Sequence, residues 1–178
     1  MATAWYTDAF KNGNGPDGNV PAGAVLCQYT KFTAGSTTGI GDTVYLFRLP
    51  KNAVLVDVIV QWDASGSSGT LSLGTCIANS TTGKWDSPTV VQATNIFNVA
   101  AITNSAGRAS LTGGFTGTSL LSSALLGTTT ALCLGNKFTV ETGLYVTFGT
   151  AAFPDDADLY FAALYFVDYG ADMAYDAG

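Results

Sequence analysis

Three carboxylates, Asp155, Asp156 and Asp158, crowd one short stretch, and carboxylate oxygens on a loop are the ligands a hard cation such as Ca²⁺ takes. The Asp-x-Asp-x-Asp-Gly spacing of a dedicated calcium loop is missing, so the stretch reads as a solvated turn. Asp168, Asp172 and Asp176, near Tyr169 and Tyr175, read the same way, as charges that keep a surface soluble. Gly39-Ile40-Gly41-Asp42 has glycines like those of a phosphate loop, but it precedes a strand rather than opening a helix, and a turn accounts for it. Glu141 is the only glutamate and stands beside a Thr-Gly turn with no partner evident for paired-carboxylate hydrolysis.

The chain has no histidine. That removes the side chain that titrates nearest neutrality and the commonest metal ligand, and with it triad and zinc chemistry of the ordinary kind. Cys27, Cys76 and Cys133 are far apart, show no CxxC spacing, and read as small buried hydrophobes in strands. No set of groups converges on a reaction, so the expectation is a non-enzyme without cofactor or metal.

Aromatic residues remain. Trp62, Trp85, Tyr145, Tyr160, Phe161 and Tyr165 could stack on sugars, as in a host-glycan adhesin, although such residues more often fill a sandwich core or anchor an interface. Trp85, in the loop Gly83-Lys84-Trp85-Asp86-Ser87-Pro88, is expected at a contact rather than in the core. Trp5, Tyr6 and Phe10 give the N-terminal segment an aromatic head that is odd for a disordered tail. They are expected to dock, either on their own domain or on a neighbouring subunit, and with Trp85 they form the candidate interface.

The elements that must position these residues are strands. After Asn12-Gly13-Asn14-Gly15-Pro16-Asp17-Gly18-Asn19, a run of turn formers, strand signals begin at Val25–Phe32. Val44–Leu49, a Pro50-Lys51-Asn52 turn and Val54–Trp62 look like the best strand pair in the chain, with Val54, Val56, Val58 and Val60 on one face. Thr70–Ile77 alternates as a further strand, and Thr89–Ala101 has near-helical spacing that predicts a short helix, with a strand as the alternative. The low-complexity stretch 105–137 reads as loops and short strands around Ala109–Leu111 and Ala131–Leu134. Gly143–Gly149 and Asp158–Tyr169 flank a Pro154-Asp155-Asp156 turn as a closing hairpin. The fold class expected is all-β: a two-sheet antiparallel sandwich, jelly-roll-like, with an extended N-terminal arm over residues 1–23, the sandwich over residues 24–178, and at most one short helix.

Only 11% of the residues are charged, against about 25% in an ordinary soluble domain, and mean hydropathy is +0.27. A free monomer of this composition must either present apolar patches or coat itself in Ser, Thr, Gly and Asn, and the first option marks a protein interface. The net charge of −6 comes without a basic stripe, which argues against direct nucleic-acid binding. No stretch approaches the roughly 20 apolar residues of a membrane span, and no basic start with an apolar run suggests a signal peptide, so synthesis in a reducing cytoplasm is expected.

The stretch Asp42-Thr43-Val44-Tyr45-Leu46-Phe47-Arg48-Leu49-Pro50-Lys51-Asn52-Ala53 resembles the small structural proteins of tailed-phage virions known as capsid decoration, or cement, proteins. Trp62-Asp63-Ala64-Ser65-Gly66 and Leu71-Ser72-Leu73-Gly74 follow where that family places a strand, a loop and a second strand, and the resemblance spans roughly residues 40–110 and, more faintly, the last strand. It implies a jelly-roll-like sandwich without catalysis that sits on the capsid surface in many copies. The implied partner is the major capsid protein, with self-association as a symmetric oligomer, a homotrimer being the form favoured. The alternative is a receptor-binding module on a head or tail fibre that reads a host polysaccharide.

Overall fold

The computed structural model describes residues 4–12, 24–35, 38–63, 69–102, 106–110, 114–115, 137–149 and 156–168. In chain order these form β1 (Ala4–Tyr6), α1 (Asp8–Asn12), β2 (Leu26–Thr33), β3 (Thr43–Leu49), β4 (Ala53–Trp62) and β5 (Gly69–Ile77). β6 (Thr89–Ile102), β7 (Gly107–Ser110), β8 (Gly114–Phe115), β9 (Thr142–Gly149) and β10 (Asp158–Val167) complete them. The expected strand around Ala131–Leu134, Cys133, Asp155, the 13–23 turn run and the tail carrying Asp172, Tyr175 and Asp176 lie outside the described residues.

The strands make two sheets, ordered β1-β3-β9-β5-β6 and β2-β10-β4-β7-β8. All pairings are antiparallel except β1 with β3, which is parallel. With β1 and β8 set aside, the interleaved orders 3-9-5-6 and 2-10-4-7 are those of a jelly roll, in which the chain passes repeatedly from one sheet to the other. The all-β, two-sheet expectation is met.

Three local expectations are corrected. β3 and β4 are not partners, because Pro50-Lys51-Asn52 carries the chain over the sandwich edge into the other sheet. Asn52 adopts φ 67° there, a left-handed conformation that its short polar side chain tolerates. β9 and β10 are likewise in opposite sheets: β9 lies between β3 and β5, and β10 between β2 and β4. A turn signal reports a reversal of direction and not which sheet receives the next strand. Residues 89–101 are strand and not helix, since β6 pairs with β5 through three register shifts that disturb the simple alternation of its side chains. The one helix among the described residues is α1, far from that stretch.

The core lies between the sheets. Leu46, Phe47, Leu49, Leu73, Leu144 and Val146 from one sheet meet Leu55, Val60, Leu159, Phe161, Ala163 and Tyr165 from the other, all at most 1% exposed. Each large side chain of this set contributes about 1.5–3 kcal/mol by leaving water. Two bulges set which residues enter. In β3 the register jumps between Tyr45 and Phe47, so Leu46 and Phe47 both reach the core while Tyr45 is left on the outer face opposite Tyr145. In β4 it jumps between Leu55 and Asp57, which divides the expected valine face: Val58 and Val60 are buried with Ala53 and Leu55, and Val56 is thrust out.

Candidate functional site

The outer face of the first sheet would show water Tyr45, Tyr145 and Cys76, and the N-terminal segment covers them. β1 adds a parallel edge strand to β3, with Ala4, Trp5 and Tyr6 opposite Thr43, Val44 and Tyr45. Thr7 then turns the chain. Its hydroxyl donates to the Leu46 carbonyl at 2.6 Å and accepts the Phe10 N–H at 3.2 Å, the bond an N-cap makes to the third helical residue. Asp8 in the first turn of α1 suits the positive end of the helix.

The turn drives Phe10 into the sheet face, where it is fully buried. Its ring lies 5.1 Å from Tyr45 and meets Trp85 edge-on at 5.4 Å, separations at which aromatic pairs attract beyond simple burial. Tyr6 stacks on Tyr45 at 4.7 Å, Tyr45 packs on Tyr145 at 5.6 Å, and the Tyr6 hydroxyl donates to the Asp86 carbonyl at 2.8 Å. Gly143 makes the space: a Cβ there would sit 2.6 Å from Cys76 Sγ, 2.9 Å from the Phe10 ring and 3.0 Å from the Trp85 ring.

Arg48 ties the rim together. Its Nη2 donates to the Lys11 carbonyl at 3.0 Å, in the last turn of α1, where a cation is favoured. Its guanidinium lies 5.4 Å from the centre of the Trp85 ring, and Nη1 is 3.7 Å from Glu141. Glu141 thus has an ion-pair partner that its sequence neighbourhood did not reveal. Tyr6, Phe10, Lys11, Trp85 and Asp86 border an open cleft of about 360 Å³.

Burial pushes the Cys76 thiol up to about 12, and burial followed by the nearby Cys76 pushes Tyr45 to about 12. Tyr145 is raised to about 12 by burial first as well. All three are neutral at physiological pH, so the cluster offers neither thiolate nor phenolate and acts by packing.

Of the four residues singled out from sequence, Tyr6, Phe10 and Trp85 meet in this socket. Trp5 does not: consecutive strand residues point to opposite sides, and it packs against the main core with its ring 6.2 Å from Phe32. Tyr45, Tyr145, Cys76, Arg48 and Gly143 were missed as site residues. The first two carried a signal in the alternation of their strands, masked at Tyr45 by the bulge beside it. Asp158, considered as a cation ligand, instead holds Lys31 at 2.6 Å and accepts from Thr33 at 2.6 Å across the β2–β10 pair.

No family model and no curated protein matches the sequence. Among solved structures, a chain described as "Capsid of Ralstonia phage GP4" is similar over 94% of this chain and 100% of its own, with TM-score 0.64 and 19% identity. A chain of "Cyanophage Pam1 capsid asymmetric unit" covers 86% and 92% at TM-score 0.43 and 16% identity. A chain of "Acidic stable capsid structure of Helicobacter pylori bacteriophage KHP30" covers 82% and 90% at TM-score 0.43 and 13% identity. The first likeness shows a shared fold along nearly the whole of both chains.

Proposed function

We propose that this chain is a structural virion protein: a decoration, or cement, subunit that binds the outer surface of a phage capsid and stabilises contacts between major capsid proteins. The observation that carries the reading is the end-to-end likeness of the fold to a chain from the Ralstonia phage GP4 capsid. The composition supports it, since a surface with few charges and with Tyr29, Ile40, Val90, Val91 and Val140 exposed suits burial against neighbours. Many copies, each held by modest contacts, add up through multivalency. Self-association, with a homotrimer as the form first expected, belongs to the same reading.

Residues 1–23 serve as an arm in this scheme, and Trp5, Tyr6, Phe10 and Trp85 as its interface. The sandwich of residues 24–178 carries the socket, and the rim of the cleft beside Tyr6, Trp85 and Asp86 offers the capsid protein an aromatic foothold. The test is co-sedimentation of the purified chain with capsids that lack it. Saturable binding, weakened by deleting residues 2–20 without loss of the sandwich's circular dichroism, is the expected result. Absence of binding by the full chain contradicts the reading, and an identical curve for the truncated chain removes the arm from it.

A further inference from the structure

The outer face of the second sheet, on the far side from the socket, is ordered in rows, because residues directly opposed on neighbouring strands share a face. One row runs Lys31, Tyr160, Gln61 and Arg108 from β2 to β7, all long side chains. The next runs Tyr29, Ala162, Ile59 and Ser110, and beyond Tyr29 it is short at β10 and at β7. It forms a floor three strand spacings long, roughly 14 Å, walled on one side by the first row. Tyr29 stands at the end of this floor, 60% exposed, with its ring nearly parallel to that of Tyr160 at 20° and 6.4 Å between centroids. Tyr160 is itself anchored. Its hydroxyl donates to Asp158 at 3.3 Å, and Lys31, paired with Asp158 at 2.6 Å, lies 5.6 Å from its ring centre. The anchored ring thus backs the exposed one.

We propose that this floor binds a neutral polysaccharide, with one sugar ring stacked on Tyr29 and the strand of sugars running over Ala162 and Ile59 toward Ser110. A pyranose ring offers an apolar C–H face to an aromatic ring and a rim of hydroxyls that both donate and accept. Gln61 and Arg108 stand beside the floor, exposed and with side chains free of partners among the described residues. The Gln61 amide both donates and accepts, and the Arg108 guanidinium donates, so together they match that rim. An apolar strip edged by a few polar groups is the usual form of a small-ligand site.

Charge and size select this class of ligand. The face sets Lys31 and Arg108 against Asp57, Asp63 and Asp158, so it has no positive excess to draw an acidic polymer. The floor is roughly 14 Å by 7 Å, about 100 Å², far below the about 800 Å² that a specific protein contact takes from each partner. A single strand of sugars fits that width. So small and shallow a contact is weak, and many copies on one particle would make it effective through multivalency. That last step, and the outward direction of the face when the arm side meets the shell, rest on the proposed function. Binding by the isolated chain does not, so its failure leaves capsid attachment standing.

The test is retention of the full chain on an array of neutral and uronic-acid oligosaccharides, including chitotriose and trigalacturonate, followed by titration of the neutral sugar retained best. Saturable binding at millimolar sugar is expected. Tyr29→Ala weakens it by about tenfold, whereas Tyr29→Phe, which keeps the ring, leaves it intact. Ala162→Arg fills the floor and abolishes binding. Circular dichroism checks that each variant folds, and Tyr29→Ala, a change at an exposed position, decides the matter if Ala162→Arg does not fold. Retention of no neutral sugar, or of the uronic acids in preference, overturns the proposal. So does an unchanged affinity in Tyr29→Ala, or a loss in Trp85→Ala in its place, which would put the sugar in the cleft of the socket.

Discussion

Tyr6 and Tyr45 lie with ring centroids 4.7 Å apart and 12° between their planes, one contributed by the edge strand that the N-terminal segment adds and the other by the sheet it covers. This stack and the Phe10 plug beside it hold the segment by side-chain packing, where backbone pairing amounts to only three residues.

Phe10→Ala should therefore release the segment without unfolding the sandwich. Removing a fully buried phenylalanine costs about 3 kcal/mol, and here the loss falls on the docking of residues 4–12. Hydrogen exchange should show loss of protection at Thr7, Phe10 and Lys11, while β9 and β10 keep theirs. Unchanged protection in the segment contradicts the plug.

Gly143→Ala should destabilise the socket by about 1–3 kcal/mol, because the added methyl collides with Cys76, Phe10 and Trp85 together. The clash with Cys76 is the shortest, so Cys76→Ala in the same chain should recover part of the loss. Strictly additive effects in thermal melts would show that the two residues do not compete for that space.

The cysteines should differ in reactivity. Cys27 is exposed, whereas Cys76 is fully buried and its thiol is held up at about 12. A disulfide reagent at neutral pH should label Cys27 rapidly and Cys76 only after denaturant, and Phe10→Ala should accelerate labelling of Cys76. Equal labelling of both in the native chain is the contrary outcome.

Acid should loosen the β2–β10 seam. The hydrogen bond from Lys31, followed by that from Thr33, lowers the Asp158 carboxyl below its usual range. A depressed folded-state value means that the stabilisation is present above the unfolded carboxylate value of about 3.9 and is lost as pH falls through the lower folded one. The melting temperature should fall less steeply across that acid window in Asp158→Asn than in the wild type. The exposed setting keeps the effect small, and identical slopes would remove this pair from the acid response.

The two-sheet fold was legible because strand formers, turn clusters and the scarcity of helical periods agree over most of the chain. Pairing was not. Val44–Leu49 and Val54–Trp62 look like a hairpin because a turn joins them, while partner choice depends on which faces can be buried together, a property of the whole sandwich. The bulges at Leu46 and Val56 shift the two-residue period by one, and nothing in the local residue types announces that shift. Among site residues, Tyr6, Phe10 and Trp85 stood out because aromatics in a turn-rich segment and a loop have no core of their own. Arg48 and Gly143 act through contacts with residues far away in sequence, and single-strand patterns carry no trace of these.

The most direct test of the virion assignment is the copy number of this chain relative to the major capsid protein in purified particles, by quantitative mass spectrometry. A decoration subunit predicts an abundance comparable to that of the shell protein. A handful of copies per particle would contradict that role and favour a fibre-borne receptor-binding module.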